Sequence, residues 1–434
     1  MTGVCFKEWI IFAMMQYDII ILGGGAAGFF AAINIAELKP DLKIVILERG
    51  KEVLTKVKVS GGGRCNVTHA EFVPDELIKN YPRGEKELRG PFHTFCSGDT
   101  ITFFEKRGVE IKIEEDGRMF PVSDSSQTII DCFLSEAKRL GIDILKNHSV
   151  KNISKAENKW ILNTNQGVFN AKKILIATGS NPKIWKILEN LGHSIITPVP
   201  SLFTFNIKDS RIKDLAGVST IASLKVLFNS HSFQEEASST RGGDGVVKLE
   251  SEGPLLITHW GMSGPAILKL SAWGARELNS VNYNFKIQVN WLNDIGIDEV
   301  LTVLNETKLE NPKKAVINTK PFDLPKRLWF KLVEAAQIEN EQRWADTSKK
   351  QLQELAEQLT KGVFLVNGKS TFKDEFVTAG GIDLKEINFK TFESKLHNNL
   401  FFAGEVLNID ALTGGFNFQN AWTGAYIASK AIIN

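Results

Sequence analysis

Gly23, Gly25 and Gly28 stand in the spacing G-x-G-x-x-G, and Glu48 follows twenty residues after the last of them. These residue types in this pattern suit the holding of a dinucleotide. Gly23 permits a tight turn, Gly25 lets the backbone approach a pyrophosphate, and Gly28 lets a helix pack closely on a strand. A helix opening at Ala26 and Ala27 presents unpaired N–H groups and the positive end of its dipole to the phosphates. Glu48, with Arg49 beside it, is placed to accept hydrogen bonds from the adenosine ribose hydroxyls. A carboxylate there disfavours a 2′-phosphate, so FAD or NAD fits better than NADP.

A second stretch, "VSGGGRCNVTHA" (59–70), puts Gly61 to Gly63 ahead of Arg64, Cys65 and Asn66. Its glycines suit close backbone packing against a cofactor, with Ser60, Arg64 and Asn66 as polar contacts. Cys65 reads as a small buried filler before it reads as a nucleophile, although a neighbouring arginine lowers a thiol pKa. A third stretch, "NNLFFAGEVLNIDALTGGFNFQNAW" (398–422), delivers Gly404 and Glu405 at a strand end and Gly414 and Gly415 before a helix near Phe416. The carboxylate suits a polyol hydroxyl, and the helix N-terminus suits a carbonyl that gains negative charge. His259, in "THWGMSGP", is the most tempting acid–base group elsewhere, although a histidine at a strand end more often serves structure. "RGGDG" (241–245) precedes a strand and reads as a hairpin turn. No HExxH, no Cys/His ligand cluster and no Ser-His-Asp ordering points to a metal site or a hydrolase.

These residues need elements to position them. "YDIIILGGGAAGFFAAINIAELKPDLKIVILERG" (17–50) has the order of a βαβ unit, with two short apolar runs expected of strands covered on both faces. "SSQTIIDCFLSEAKRLG" is an amphipathic helix with Ile129, Ile130, Phe133 and Leu134 inward. "HSVKNI", "KWILNT" and "GVFNA" read as short antiparallel strands, and "KKILIATGSNP" as a buried strand ending at Gly179. From about Thr197 the texture changes to short strands, several of them alternating, as at Phe285, Ile287, Val289 and Trp291. Residues 293–361 read as helices, one opening at Asp323 and Pro325 and another carrying a Ser348/Gln351 capping box.

The chain has 434 residues, 43% hydrophobic and 24% charged, which is a globular composition with ample core. Its 52 basic and 50 acidic side chains give a formal charge of +2, which argues against a dedicated nucleic-acid surface but leaves room for a local patch. Four cysteines without a CxxC pair read as reduced thiols, and no apolar run suits a membrane span, so a cytoplasmic protein is expected. Residues 1–14 read as an upstream start or loose lead and take no part in the fold argument.

The combination "SGGGRCNVT", "ATGSNP", "LLITHWGMSGPAIL", "TAGGI" and "TFESK…LFFAGEVLNIDALTGGFNFQNAW" resembles the BaiN/YhiN-like flavoproteins, described as NAD(P)/FAD-dependent oxidoreductases. The resemblance runs from Tyr17 to the C-terminus. It implies tightly bound, non-covalent FAD in a Rossmann-like α/β domain of the glutathione-reductase type. That domain is formed by both chain ends, 16–196 and 364–434. An inserted antiparallel β-barrel that would carry substrate (197–292) and a helical subdomain (293–363) complete the expected architecture.

Carried over position by position, the resemblance puts the pyrophosphate glycines at Gly23, Gly25 and Gly28 and the ribose acid at Glu48. It puts the loop beside the flavin at Ser60, Gly61, Gly62, Arg64, Cys65 and Asn66, and an adenine-side backbone contact at Val150. The strand end falls at Ala177, Thr178 and Gly179, and the ribityl and pyrimidine contacts at Gly404, Glu405, Gly415, Phe416 and Asn417. His69, Ser180, Asn408 and Ala411 depart from the family pattern, and the last two put any transfer of substrate chemistry in doubt.

The expected function is hydride transfer from NAD(P)H through flavin N5 to a small, unsaturated or cyclic organic substrate, with no nucleic-acid partner. Two rivals stand beside it. One is a flavin-containing binding module with a partner such as RNA, which a basic stripe on the insert would favour. The other is a thiol–disulfide oxidoreductase using Cys65. Related disulfide reductases carry two cysteines in the loop beside the flavin, whereas here the next cysteine after Cys65 is Cys96. Sequence alone gives no catalytic acid and no oligomeric state.

Overall fold

A computed structural model describes residues 14–227, 249–370 and 377–434. The chain forms two compact units, Met1–Pro198 with Thr378–Asn434, and Val199–Val377. "RGGDG" lies outside the described residues.

The first unit is built on a seven-stranded sheet. Its order is Ile387–Asn388, Glu393–Ser394, Leu400–Phe402, Lys173–Ile176, Ile19–Leu22, Ile44–Leu47, Asp143–Leu145. The last five strands pair in parallel. Ile19–Leu22 and Ile44–Leu47 are buried at every position, as unbroken aliphatic runs in a parallel sheet must be. Pairing of Ile174–Ile176 with Leu400–Phe402 joins the two chain ends in one sheet. The helix Ala26–Leu38 is buried from Ala27 to Ala36 and packs along the last helix, Phe416–Ile433. Its alanines bring it close to the sheet, and the Phe30 ring sits 5.1 Å from the Trp422 ring.

Val150–Ala156, Lys159–Thr164 and Val168–Ala171 are the expected antiparallel strands, joined at the edge by Met15–Gln16. The helix Ser126–Arg139 starts at the Ser125 hydroxyl, which accepts from the Gln127 N–H at 3.3 Å. Ile129, Ile130 and Phe133 face inward as expected, but Leu134 does not and is 37% exposed. The buried stripe runs Ile129, Ile130, Phe133, Ala137, which leaves position 134 on its flank.

One edge of the first unit carries a buried polar chain that sequence reading missed. The His193 ring is 2.7 Å from a Glu386 carboxylate oxygen at Nδ1 and 3.2 Å from the Ser394 hydroxyl at Nε2. Ser394 Oγ also accepts from the N–H groups of Leu396 and His397. Its own proton therefore points at Nε2, and Nδ1 donates to Glu386. Burial holds the His193 pKa below its ordinary value, with Glu386 pulling the other way. The unfolded chain thus takes up a proton near pH 6.5 that the folded chain resists. Stability is full above that pH and falls as pH drops below it. Urea unfolding at stepped pH should show this decline, and His193→Asn should flatten it. An unchanged slope in the variant would assign the decline elsewhere.

The second unit holds a seven-stranded antiparallel sheet. Its order is Gly362–Asn367, Asn284–Asn290, Ser219–Leu227, Glu250–Thr258, Gly261–Ser263, Thr204–Asn206, Lys369–Ser370. Phe285, Ile287 and Val289 alternate inward as their spacing requires. The helices Ile297–Glu310, Lys326–Ala335 and Lys349–Thr360 share one core with this sheet, in which Trp291, Trp329 and Trp344 are fully buried. Ser348 and Gln351 form the expected capping box.

Candidate flavin site

The strands ending at Leu22, Leu47, Ile176 and Phe402 are neighbours in one sheet, so the residues after them meet at a single edge. Gly23 N–H donates to the Leu47 carbonyl (2.9 Å), and Ala177 N–H to the Leu22 carbonyl (2.8 Å). A crevice beyond the carboxyl ends of parallel strands is where open α/β sheets bind ligands.

The three glycines divide the work as their spacing implies. Gly23 has φ +109°, and a Cβ there would stand 2.4 Å from the Ala177 carbonyl oxygen. A Cβ on Gly28 would stand 2.0 Å from the Gly23 carbonyl oxygen. Both positions exclude any side chain. Around Gly25 nothing lies within 4 Å of a Cβ position, so the backbone there faces open space. Gly25 caps the helix without a side-chain hydrogen bond, which leaves the N–H groups of Ala26, Ala27 and Gly28 for a ligand. Glu48 leans over this loop, with one carboxylate oxygen accepting from Gly24 N–H (2.9 Å) and the other from Gly50 N–H (2.7 Å). A carboxylate has about four acceptor positions, so capacity for ribose hydroxyls remains. His148 N–H donates to the Glu48 carbonyl at 2.8 Å, which brings the segment leading to Val150 beside Glu48. Arg49 is exposed.

In Ser60–Asn66 the glycines prove to be conformational. Helical geometry stops at Ser60, and Gly61, Gly62 and Gly63 take φ +58°, +68° and +86°. A Cβ on Gly61 would stand 2.9 Å from Asn66 N, while Gly62 and Gly63 face open space. The side chains that follow do not take the roles expected of them. Arg64 pairs with Glu114 (2.6 Å) and Asp124 (3.4 Å) and lies 3.9 Å over the Phe120 ring. Its charge is spent there and not on Cys65. Burial pushes the Cys65 thiol up to about 12, so neither its exposure nor its ionisation is that of a nucleophile. Asn66 is buried and accepts from Met119 N–H through its side-chain oxygen.

At the last helix Gly415 has φ +94°, and a Cβ on it would strike the Thr68 backbone at 2.5 Å. No side chain caps this helix, so the first N–H groups from Phe416 onward are open to a carbonyl. The Asn417 side chain clasps Ala411, accepting from its N–H (3.0 Å) and donating to its carbonyl (3.1 Å), which leaves only its backbone for the expected cofactor contact. It fixes the loop that feeds the helix. Tyr81, Thr68, Thr100 and Gln419, all missed in the sequence, fasten the helix together with the core residue Trp422: Tyr81 donates to the Phe416 carbonyl (2.6 Å) and Trp422 to the Val67 carbonyl (2.9 Å). Thr68 and Thr100 both donate to the buried Gln419 side-chain oxygen.

Glu405 carries a further surprise. Its carboxylate is 2.5 Å from Lys56 Nζ, and a Cβ on Gly179 would lie 3.6 Å from the same carboxylate oxygen. Lys56, Gly179 and Glu405 therefore meet at the strand ends, although "LTKVKVS" gives Lys56 the look of an ordinary surface lysine.

Orphaned polar atoms test the fit of a cofactor. Thr178 Oγ1 and both polar side-chain atoms of Asn420 are buried without a partner among the described residues. Buried polar atoms without partners are costly unless a bound group satisfies them. With two uncapped helix N-termini, open space at Gly25, Gly62 and Gly63, and Glu48 and Glu405 at separate strand ends, the donor set fits FAD. His259 is placed differently. It sits in the second unit, exposed in the turn after Glu250–Thr258, with no hydrogen-bond partner among the described residues. It is not the bonded structural histidine that its place at a strand end suggested.

The family model described as "HI0933-like protein Rossmann domain" matches residues 17–431. The chain belongs to the HI0933-like family. This makes it an enzyme of the FAD-dependent oxidoreductase group, with the FAD-binding α/β fold that its motifs implied. Three relatives match nearly end to end. The ribosomal RNA dihydrouridine synthase of Escherichia coli K12 is 29% identical, over 97% of this chain and 99% of that protein. The ribosomal RNA dihydrouridine synthase of Haemophilus influenzae is 28% identical, over 96% and 99%. The 3-dehydro-bile acid delta(4,6)-reductase of Clostridium scindens is 24% identical, over 95% and 98%. Among the described residues no helix is long and apolar enough to cross a membrane.

Proposed function

We propose that this HI0933-like protein reduces a ring carbon–carbon double bond conjugated to a carbonyl, and that the ring is a uracil of ribosomal RNA. The reading is carried by the end-to-end match to two ribosomal RNA dihydrouridine synthases, insert included. The bile-acid reductase supports the same bond class, because a dihydrouridine precursor and a 3-oxo-Δ4,6 ring both present an alkene activated by a carbonyl. The chemistry FAD supplies is hydride relay, from NAD(P)H through N5 to the β-carbon of that system, while an acid delivers the proton to the α-carbon.

The chain's own residues bind and orient. In this proposal Ala26, Ala27 and Gly28 hold the pyrophosphate through N–H groups, and Glu48 holds the adenosine ribose with Val150 on the adenine side. Ala177, Thr178, Gly179, Gly404 and Glu405 line the ribityl path, with Lys56 balancing Glu405. The N–H groups at Gly415 and Phe416 meet the pyrimidine carbonyl, where negative charge develops on reduction. FAD is held tightly and without a covalent bond, the donor binds transiently, the insert carries the substrate, and the protein works in the cytoplasm.

Anaerobic titration of the purified protein with NADH, then NADPH, should bleach its flavin bands and name the donor. Incubation of unmodified ribosomal RNA with the reduced protein should then yield dihydrouridine in a nucleoside digest read by mass spectrometry. Bleaching without any dihydrouridine would favour the second reading, a free small cyclic substrate, which the bile-acid reductase motivates. A protein that cannot take up FAD would sink both. Cys65→Ser should keep the flavin and its reduction rate within about twofold, given a buried thiol far from ionisation. Loss of turnover with FAD retained would restore the thiol–disulfide reading.

A further inference from the structure

The second unit carries a cleft of about 710 Å³ whose lining includes Lys208, Asp209, Lys213, Asp214, His259 and Arg327. We propose that this cleft docks RNA, with Lys208, Lys213 and Arg327 meeting phosphates and Trp260 stacking on an unpaired base. The identity of the partner rests on the ribosomal-RNA reading above.

Charge is the first support. Lys208 and Lys213 are exposed and have no partner among the described residues. Arg327 is exposed too, and its guanidinium donates to the Asp214 carbonyl, which anchors it beside the same loop and leaves further N–H groups outward. Of the two carboxylates in the lining, Asp209 is neutralised by Arg211 at 2.7 Å, so Asp214 alone faces three cations. Such an imbalance is local. The chain's total of +2 averages it away, which is why a near-neutral sequence did not reveal it.

Trp260 is the second support. It stands between the lining residues His259 and Gly261 and is 68% exposed. The turn that displays it is fixed. Ile207 N–H donates to the Trp260 carbonyl (2.9 Å), and Trp260 N–H donates to the Thr258 hydroxyl (3.3 Å). Gly261 has φ +149°, and a Cβ on it would meet the Phe205 carbonyl oxygen at 2.2 Å. A hydrogen-bonded turn therefore displays an indole in water, between two residues that line the cleft. Cations spaced for a backbone beside an aromatic face are the ingredients of single-strand recognition. His259 adds a hydrogen-bonding edge beside the indole.

The test uses the FAD-loaded protein and a short fluorescein-labelled oligouridylate, read by fluorescence anisotropy across a salt series. Trp260→Ala should weaken binding about tenfold, in the range of one lost base stack. Lys208→Glu with Lys213→Glu should weaken it about tenfold or more and lower the salt slope by about 1.4, two phosphate contacts at about 0.7 each. Flavin spectrum and melting temperature should not move, and Lys349→Glu, elsewhere on the insert, should bind as wild type does. Wild-type affinity in the cleft variants would overturn the proposal, as would no binding by the parent protein. Competition by polyglutamate as strong as by RNA would also overturn it, making this a general anion or acidic-protein face. Dihydrouridine assays on the same preparations keep the two readings apart. Product formed while the variants bind normally removes the docking site and leaves the activity. Cleft-dependent binding without product does the reverse.

Discussion

Gly25→Val should give a protein that folds normally and loses FAD affinity by at least about 100-fold. Nothing lies within 4 Å of a Cβ at Gly25, and its φ of −99° is open to any residue, so the branch point of the side chain meets no protein atom. Unfolding free energy should fall by about 1 kcal/mol, the loss of a favoured N-cap residue, and no further. The added methyls occupy the space through which a pyrophosphate must approach the helix N-terminus. Loss of two hydrogen bonds to a charged group costs about 3 kcal/mol, which is the stated loss of affinity. Gly28→Ala is the informative contrast. Its Cβ would stand 2.0 Å from the Gly23 carbonyl oxygen, so the helix must shift from the strand and the fold should lose about 1–3 kcal/mol. Calorimetric FAD titration of the apoprotein with parallel urea unfolding separates the two signatures. If Gly25→Val bound FAD as the parent does, the pyrophosphate would have to lie elsewhere.

Arg83→Met should cost about 3–5 kcal/mol, the largest stability loss expected of a single polar substitution here. Asp410 is fully buried, and Arg83 grips it with two guanidinium nitrogens, Nε at 2.5 Å from Oδ1 and Nη2 on Oδ2. Methionine keeps much of the arginine's volume and removes the guanidinium from a fully buried carboxylate. The backbone of the two residues also bridges, tying the segment before Gly414 and Gly415 to the rest of the unit. Denaturant unfolding followed by tryptophan fluorescence should show the loss. The double variant Arg83→Met with Asp410→Leu should recover much of it, because removing both charges removes the desolvation penalty. A single variant as stable as the parent would mean that Asp410 has other support sufficient to hold its charge. Loosened FAD binding in Arg83→Met would tie this pair to the last helix's N-terminus.

The cofactor and the substrate surface were legible to different degrees. A near-even count of basic and acidic residues argued against nucleic acid, yet a sum over 434 residues says nothing about three cations in one cleft. The FAD unit was read well because its signals are local. G-x-G-x-x-G between two aliphatic runs fixes a strand, a turn and a helix within a few residues, and each glycine's role follows from covalent geometry. Gly23 makes its turn and Gly28 its close approach in the structure as spacing alone implied.

What only the tertiary structure decided is where flexible polar side chains go. Arg64, Asn66 and Asn417 sit at the positions the motifs gave them, but their hydrogen bonds run to Glu114, Met119 and Ala411. For Arg64 and Asn66 those partners lie some fifty residues away in the chain, beyond the reach of any spacing rule. Cys65 is fully buried, and burial raises its thiol pKa, while Arg64 pairs with Glu114 and Asp124 instead. Lys56 reached Glu405, and His193 reached Glu386 and Ser394, across comparable or greater distances in sequence. Backbone conformation is set by neighbours in the chain, so glycine spacing revealed it. Side-chain pairing and ionisation are set by neighbours in space, and those exist only once the chain has folded.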